Sequence, residues 1–519
     1  MSKRNEKAIH AADVKMLHSM GYAQELSRRM HGFSNFAISF SIICILSGGI
    51  NSLGQATAGV GGAAIGIGWP VGCLISGLFA LALAQISSAY PTAGGLYHWG
   101  SILGNRFTGW LSAWLNLLGL VTVLGAINVG TFYFFFGAFG PIFGLEDTLL
   151  HRVAFVAAIT ALQAMVNHLG IGLTTKLTDL SGYIILIGSV ALTVVCLAYA
   201  ETWDFARLFT FSNYTGTEGA SAVWPTAVSG VMAFSLGLLM PIYTITGYDA
   251  SAHTAEETVN AQRSVPKGMV GSVLWSGLFG YLFRCAVVLM LPDMDEAAKQ
   301  GWNVFFWAMG ERVPDGLRNA LYTMIFISQW LCGLATVTSL SRMLFAFSRD
   351  DGIPGISKTL STVSHSQRSP VNAIWFGSAL SVLFVWFTSA LTIAGTPAYS
   401  IVVSCTVIFL FLSFALPIGL ALFTYGTARF PKAGPWDLGA LVFRIVCVLS
   451  LAGMVLIFYA GIQPPNDWAL SITGGFILLS LVIWVLFENR RFKGPPIGAE
   501  IAKRQAEIRA AEAALGGAG

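Results

Sequence analysis

The segment GYDASAHTAEET at 247–258 carries several residues that could do chemistry at the end of a long apolar stretch. Asp249 follows Gly247 by two residues, and His253 follows Asp249 by one helical turn. A carboxylate can bind a cation or a proton, and an imidazole titrates near neutral pH. A glycine break beside a carboxylate is tolerated in a membrane helix where it lines a cavity or a pathway. The segment therefore indicates a membrane protein that handles a polar solute.

The composition of the chain excludes a soluble protein. Hydrophobic residues make up 55% of the 519 residues and charged residues 10%, against about 25% charged in an average globular protein. The first 30 residues are polar and basic, and the first apolar run is too long for a secretory signal. The seven cysteines all fall in apolar runs without paired spacing, so neither a disulfide framework nor a metal site is expected. The net charge of +4 comes from membrane-flanking loops and gives no reason to expect a nucleic-acid partner.

The apolar runs predict an all-α polytopic membrane protein with twelve transmembrane helices, since a bilayer core takes about 20 helical residues. The runs cover roughly 33–56, 68–89, 107–138, 153–173, 177–200, 222–252, 269–291, 317–347, 371–394, 398–424, 438–462 and 468–487. Most of the 29 lysines and arginines lie on the inside if the N-terminus is cytoplasmic. We therefore expect an integral, multi-pass plasma (inner) membrane protein with both termini in the cytoplasm.

Two of these runs are interrupted by glycine. Ser47, Gly48 and Gly49 break the first run, and Thr246 and Gly247 break the sixth about 200 residues later. A glycine pair taken alone is also explained by close helix packing. Breaks at corresponding places in two halves indicate an inverted-repeat transporter instead. The predicted domains are a tail at 1–32, repeats of five spans at 33–200 and 222–424, two added spans at 438–487, and a tail at 488–519.

The two breaks offer opposite polarities to a solute. A second half-helix that begins near Ile50 presents free N–H groups and a positive dipole end, which can bind a carboxylate. The unwound carbonyls at 244–247 are acceptors, and Asp249 adds a negative charge. A zwitterionic amino acid would satisfy both ends. A purely cationic amine would use the sixth-span end alone.

Three motifs carry a resemblance to a known family. They are GYDASAHTAEET at 247–258, QISSAYPTAGGLYHWG at 85–100 and SGGI at 47–50. The chain resembles the amino acid–polyamine–organocation superfamily. Within it, the chain is most similar to the amino acid/choline permeases, which include γ-aminobutyrate, choline and polyamine carriers. The resemblance implies twelve helices, a five-plus-five inverted repeat with broken first and sixth helices, and alternating access.

The resemblance also implies where a substrate binds. Its carboxylate would lie near SGGI, and its amine would lie near the carbonyls of Thr246 and Gly247. Tyr243 matches an aromatic residue that caps the substrate from outside, and 88–99 would form the inner loop. The expected substrate-binding residues are Ser47, Gly48, Gly49, Ile50, Tyr243, Thr246, Gly247, Tyr248 and Asp249.

Coupling to H⁺, coupling to Na⁺ and exchange all stay open. Asp249 matches an acidic position linked to proton sensing in some relatives, and a lysine that some relatives carry midway along the fifth span is missing here. Thr338 and Ser339 resemble a hydroxyl pair that ligates Na⁺ in more distant transporters, although such hydroxyls often bond to the preceding turn. Asp249, His253 and Glu256 are the candidates for gating or proton coupling.

Several further polar residues have competing explanations. Glu256 and Glu257 either pair with basic groups such as Arg263 and Lys267 or form a solvated helix end. His253 either tunes proton coupling or is a structural histidine. Arg284 is expected to snorkel or to pair within its own helix, the alternative being a role in the solute pathway. The charged end of the eighth span, with Arg342 and Arg349, is explained by the orientation rule. Candidates for contact with the substrate side chain are Asn116, Asn128, Gln329, Ser404 and Thr406.

The favoured function is secondary active transport of an amino acid, a γ-aminobutyrate-like solute or a related amine. The alternatives are a choline or polyamine cation permease of the same fold, and a channel or sensor without coupled transport. An enzyme is not expected, because no second helix supplies partners that converge on Asp249 and His253. No cofactor and no metal are expected. The expected partners are the substrate, a coupling ion and the lipid bilayer.

Overall fold

The computed structural model describes residues 3–144, 146–390, 398–463, 468–496 and 498–514, and regular structure in these ranges is helical. Ten long spans run without a break in the described residues. They are Gly68–Ala89, Arg106–Phe143, Leu149–His168, Ile171–Ala198, Ala261–Met290, Asp315–Arg349, Val371–Ala390, Ala398–Thr424, Ala440–Gly461 and Trp468–Ile483. With the broken first and sixth spans they form the predicted twelve-helix arrangement, and we number the spans in chain order.

The first and sixth spans are each built from short pieces. The first comprises Gly32–Ile43, Gly48–Asn51 and Leu53–Thr57, and the sixth comprises Gly230–Gly237, Leu239–Thr244 and Ala250–His253. The two predicted breaks are therefore confirmed. The pieces are too short to span a bilayer alone, so each break leaves backbone groups free at membrane depth.

Helix packing has the symmetry of two repeats. The first span packs on the seventh, and the sixth packs in the same way on the second. The third packs on the tenth as the eighth packs on the fifth, and the fourth packs on its counterpart, the ninth. Each of these contacts between a helix of one half and a helix of the other thus has a counterpart with the two halves interchanged. This is the pattern of two five-helix repeats that share one fold. The repeat boundaries at 33–200 and 222–424 stay a prediction.

The seventh span begins earlier than the apolar run indicates. Its helix starts at Ala261, whereas 269 was predicted, because two polar turns with Arg263 and Lys267 precede the apolar part. Pro266 lies inside this helix and cannot donate to the carbonyl of Gln262. The Ser88 hydroxyl donates to that carbonyl at 2.8 Å instead. The inner loop after the second span thus replaces a hydrogen bond that proline removes.

The fourth and fifth spans also begin before their predicted starts at 153 and 177. The Thr148 hydroxyl accepts from the amide of His151 at 3.2 Å and caps the fourth span, which starts at Leu149. Gly170 has φ of 105° and separates this span from the fifth, which starts at Ile171. Capping residues and a turn glycine set these boundaries, whereas the hydropathy of the runs does not.

Both chain ends lie on one side of the bundle. The N-terminal helix Lys3–Ser19 meets the C-terminal helix Gln505–Ala514, where His18 Nε2 lies 2.7 Å from Glu512 Oε1. We call this face the terminal side. On the opposite side, Val304–Arg312 packs on Leu53–Thr57 of the first span. An even number of spans is consistent with both ends on one face.

Candidate functional site

The break in the first span leaves the amides of Ile45, Leu46, Gly48 and Gly49 without a backbone hydrogen bond within the described residues. Four residues separate Ile43 from Gly48, and Cys44 among them has φ of 27°, a value that residues other than glycine seldom adopt. The second half-helix begins at Gly48, two residues before its predicted start near Ile50, and the Ile50 amide itself donates to the Ser47 carbonyl at 3.1 Å.

The break in the sixth span leaves carbonyls free. The helix ends at Thr244, and Gly247 has φ of 99°. A Cβ atom at Gly247 would collide with the side chain of Ile42, so glycine is required there for both conformation and space. Within the described residues, the carbonyls at 244–246 accept no hydrogen bond. Free carbonyls of the sixth-span break therefore lie across from the free amides of Gly48 and Gly49, while the amides at 246–249 likewise donate no backbone hydrogen bond within the described residues.

The two breaks face each other across a narrow cavity of about 10 Å³. A Cβ atom at Gly48 would lie 3.2 Å from Thr244 Cα, which shows how closely the two spans approach. The residues that line the cavity are Ile42, Ile43, Ser47, Gly48, Val123, Ile127, Tyr243, Thr244, Thr246 and Cys332. The lining includes the predicted Ser47, Gly48, Tyr243 and Thr246. Third-span and eighth-span residues supply an apolar wall that sequence reasoning missed.

The other predicted binding residues surround the cavity without lining it. Gly49 lies against Arg284, and Gly247 lies against Ile42. Ile50 is buried. Tyr248 is also buried, with its ring 5.4 Å from that of Phe414, and its hydroxyl has no hydrogen-bond partner in the described structure. These residues shape the broken segments.

Asp249 and His253 form a buried pair on the terminal side of the cavity. His253 Nε2 lies 3.2 Å from Asp249 Oδ2, and His253 Nδ1 lies 3.2 Å from the Ala93 carbonyl oxygen. Asn116 donates to the same carboxylate oxygen at 3.4 Å. Asp249 is 1% exposed and His253 is fully buried. The inner loop thus contacts the sixth-span acid through an imidazole.

Glu256 and Glu257 form ion pairs with the end of the eighth span. Both guanidinium nitrogens of Arg349 donate to Glu256, at 2.8 and 3.0 Å, and Arg342 donates twice to Glu257 at 2.9 Å. Both glutamates are fully buried, so they are not a solvated helix end. The prediction that these glutamates pair with Arg263 or Lys267 was wrong. We call the four paired residues the gate.

The charge of Glu256 is fixed by its surroundings. Burial alone raises the pKa of its carboxyl. The charge and hydrogen bonds of Arg349, together with the Ala93 amide at 3.1 Å, outweigh burial and hold the pKa below its ordinary value. Glu256 is therefore ionised throughout the physiological range. The Glu256–Arg349 pair does not titrate there.

A second buried cluster seals the gate from the terminal side. Asp350 accepts hydrogen bonds from the hydroxyls of Tyr22 and Tyr97, and His98 Nε2 lies 3.5 Å away. Burial raises the pKa of Asp350, but His98 and the neighbouring arginine charge bring that pKa below its ordinary value. The Arg349 guanidinium lies 3.9 Å from the centre of the Tyr22 ring. The N-terminal segment therefore covers the gate directly.

The terminal-side halves of the two broken spans are joined by hydrogen bonds. Asn35 donates to the Ser251 carbonyl at 2.9 Å, and Ser39 donates to the Tyr248 carbonyl at 2.8 Å. The amide of Met30 donates to the Glu257 carbonyl at 2.8 Å. Each of these bonds links the first span, or the residue just before it, to the sixth-span segment.

The candidate cation pair on the eighth span has unequal surroundings. Thr338 donates to Asn167 at 2.8 Å and to the Leu334 carbonyl at 3.2 Å, as expected for a hydroxyl bonded to the preceding turn. The Ser339 hydroxyl is buried and has no partner in the described structure. No group of three or more His, Cys, Asp or Glu residues in the described ranges is placed to hold a metal ion.

The remaining polar candidates divide by position. Asn128 donates to Thr160 and Gln163, away from the cavity, whereas Gln329 donates to the Leu46 carbonyl in the first-span break at 3.4 Å. Thr406 is buried, and the side chain of Ser404 lies outside the described residues.

The seventh-span arginine does not snorkel. Arg284 is 1% exposed, and it donates to the carbonyl of Gly280 in its own helix and to that of Ile45 in the first-span break. The intrahelical contact was expected, whereas the contact with the broken segment was not.

Comparison with known proteins agrees with this geometry. A family model described as "Amino acid permease" matches residues 31–487. The chain is 29% identical to amino-acid permease BAT1 of Arabidopsis thaliana, over 92% of this chain and 95% of the relative. It is 31% identical to the BAT1 homolog of Oryza sativa subsp. japonica, over 92% and 94%. It is 26% identical to amino-acid permease 2 of Neurospora crassa, over 93% and 88%. The chain folds into a multi-pass bundle with two facing helix breaks, and it matches these permeases along nearly its whole length. It belongs to the amino acid permease family.

Proposed function

We propose that this permease is a secondary active transporter that moves an amino acid across the plasma membrane by alternating access, with protons as the coupling ion. The observation that carries the proposal is the pair of facing breaks. Free amides at Gly48 and Gly49 suit a carboxylate, and free carbonyls at 244–246 suit an ammonium group. A zwitterion uses both sets of groups, whereas choline or a polyamine uses one.

The gate supports alternating access. The glutamates and arginines of the gate are buried on the terminal side of the cavity, so a solute reaches that side only when the pairs separate. Separation exposes charged groups to water, which offsets the lost ion pairs. A gate of this composition is bistable, as alternating access requires.

The distribution of basic residues supports the orientation. The terminal tails and the loops on their side carry most of the lysines and arginines. The positive-inside rule therefore assigns the terminal side to the cytoplasm. In this orientation the gate closes the cytoplasmic path.

The Asp249–His253 pair supports coupling to protons. The Ala93 carbonyl can only accept, so Nδ1 of His253 carries a hydrogen. A hydrogen bond between Nε2 and the carboxylate then needs a second hydrogen, on Nε2 or on Asp249. We propose that this second hydrogen is the proton that the transport cycle gains and loses. Loss of that proton removes the link between the sixth span and the inner loop.

The test is uptake of a radiolabelled amino-acid mixture into proteoliposomes under separate pH and Na⁺ gradients. We expect accumulation driven by an inward proton gradient, abolished by a protonophore and unchanged when N-methylglucamine replaces Na⁺. Gly48→Leu is the binding-defective control, because its side chain fills the cavity beside Thr244.

Three results would contradict the proposal. Accumulation that follows Na⁺ and ignores the pH gradient rules out proton coupling. Currents without accumulation identify a channel. Accumulation of choline or putrescine without amino acids identifies a cation permease.

A further inference from the structure

We infer that Arg284 is a fixed positive charge behind the first-span break, and that it makes the site selective for solutes that carry a carboxylate. The inference rests on the proposed function and deepens it. It assigns a selectivity role to a residue outside the cavity lining. It also predicts which solutes the permease rejects, namely amines without a carboxylate.

Arg284 is buried in the membrane-spanning part of the bundle with weak hydrogen bonding. Its guanidinium lies 3.8 Å from the centre of the Trp69 ring. It donates to the Gly280 carbonyl at 3.3 Å and to the Ile45 carbonyl at 3.4 Å. Its Nε atom has no partner in the described structure. Two long bonds and one ring contact leave donor capacity unused on a group with five N–H donors.

The charge of Arg284 has no acidic partner among the described residues. The ionisable side chains close enough to influence it are the thiols of Cys73 and Cys285. Arg342, which is equally buried, has a double hydrogen bond to Glu257. An unpaired charge in a membrane protein is costly and marks a functional position by default. The missing counter-charge is an anion that the described residues do not supply.

The guanidinium adjoins the amides that suit a carboxylate. A Cβ atom at Gly49 would coincide with the guanidinium, so glycine is required at this position to admit it. The contact with the Ile45 carbonyl anchors the same broken segment. Arg284 is absent from the cavity lining and so acts across Gly49 as a positioning residue. Its field adds to that of the free amides of Gly48 and Gly49.

The consequence is a rule for selectivity. A bound carboxylate balances the charge of Arg284, so amino acids are stabilised. A carboxamide or a decarboxylated amine leaves that charge unbalanced, and a cationic amine adds repulsion. Asp249 attracts cations at the other break but does not restore the missing anion. The site therefore favours zwitterions over simple amines.

The test compares Arg284→Gln, Arg284→Lys and wild type in proteoliposomes. Uptake of the labelled amino-acid mixture is competed with unlabelled amino acids and with their carboxamides. In wild type we expect carboxamides to compete at least about tenfold more weakly than the parent amino acids. Arg284→Gln should weaken competition by amino acids about tenfold and leave that by carboxamides unchanged. Arg284→Lys should keep the discrimination, because it keeps the charge.

The matched control is Arg152→Gln. Arg152 pairs with Asp147 on the side opposite the termini, far from the cavity, and its loss should leave the discrimination as in wild type. If Arg284→Gln weakens competition by amino acids and by carboxamides equally, the role of Arg284 is purely structural and the inference is overturned. Wild-type discrimination in Arg284→Gln would overturn it as well.

Wild type alone also tests the inference if Arg284→Gln does not fold. Carboxamides that compete as well as amino acids in wild type would refute it without any variant. If wild-type protein takes up no labelled amino acid, the proposed function fails. The inference is then tested by thermal stabilisation of the purified protein, with amino acids compared with their carboxamides.

Discussion

The sixth-span segment holds two kinds of buried acid within nine residues. Glu256 and Glu257 are each paired with an arginine through two hydrogen bonds. Asp249 is paired with an imidazole and an amide through longer contacts. Arginine keeps its charge at every physiological pH, whereas histidine titrates there. Under the proposed function, the difference separates two tasks: the gate pairs would hold the path closed, and the Asp249–His253 pair would respond to protons.

Breaking a gate pair should have the largest effect. Glu257→Gln leaves Arg342 buried without its counter-charge, which costs about 3–5 kcal/mol. We expect uptake to fall at least about 100-fold and the thermal stability of purified protein to drop. The control is the reversed pair, Glu257→Arg with Arg342→Glu, which should recover part of the stability. Unchanged uptake in Glu257→Gln would show that the pair does not hold the gate.

Neutralising the titratable acid should have the next largest effect. Asp249→Asn removes the carboxylate that shares a proton with His253 but keeps the shape of the side chain. We expect uptake driven by a proton gradient to fall about tenfold or more. Exchange of labelled for unlabelled amino acid should fall less, because exchange needs no net proton movement. Wild-type uptake at every pH would remove Asp249 from the mechanism.

The pH dependence should distinguish the two groups of residues. The lowered pKa of Glu256 means that its contribution to the closed gate is complete above its ordinary value of 4.5 and is lost as pH falls through the lowered pKa. Across about pH 5 to 8 the Glu256–Arg349 pair is therefore unchanged, and under the proposed proton coupling His253→Gln should flatten the uptake profile. Glu256→Gln should lower uptake without changing the shape of that profile. The opposite pattern would assign pH sensing to the gate.

The contact between the terminal helices should have the smallest effect. His18 and Glu512 are partly exposed, and ion pairs of this kind contribute about 0–1 kcal/mol. We expect Glu512→Gln to change the melting temperature of the purified protein by a few degrees at most and uptake by less than twofold. A loss comparable to that of Glu257→Gln would mean that the terminal helices belong to the gate.

The fold and both helix breaks were predictable because their signals are local. Apolar run lengths gave the spans, and Gly48 and Gly247 marked the breaks. The fourth and fifth spans begin earlier than predicted because Thr148 caps one helix and Gly170 forms the turn before the other. Hydropathy alone does not reveal such capping and turn residues. The substrate-binding assignment came from the resemblance and stays a proposal.

The partners of the buried charges were not predictable. Glu257 and Arg342 lie 85 residues apart in sequence, and periodicity does not determine which face of the eighth span meets the sixth. Arg284 was expected to snorkel because its helix is apolar on all sides. The sequence of such a helix does not show which face packs against the first span. Arg263 and Lys267 were predicted as ion-pair partners of the two glutamates because they lie close to them in sequence.

The hydrogen bonds between the terminal-side halves of the first and sixth spans have a mechanical consequence. Asn35, Ser39 and Met30 tie one half-helix to the other, so neither can swing out alone without breaking several buried bonds. The two half-helices form a single lever with one hinge on each strand of chain, at 44–47 and at 245–249. Under the proposed alternating access, we therefore expect the two half-helices to move together as one cooperative unit.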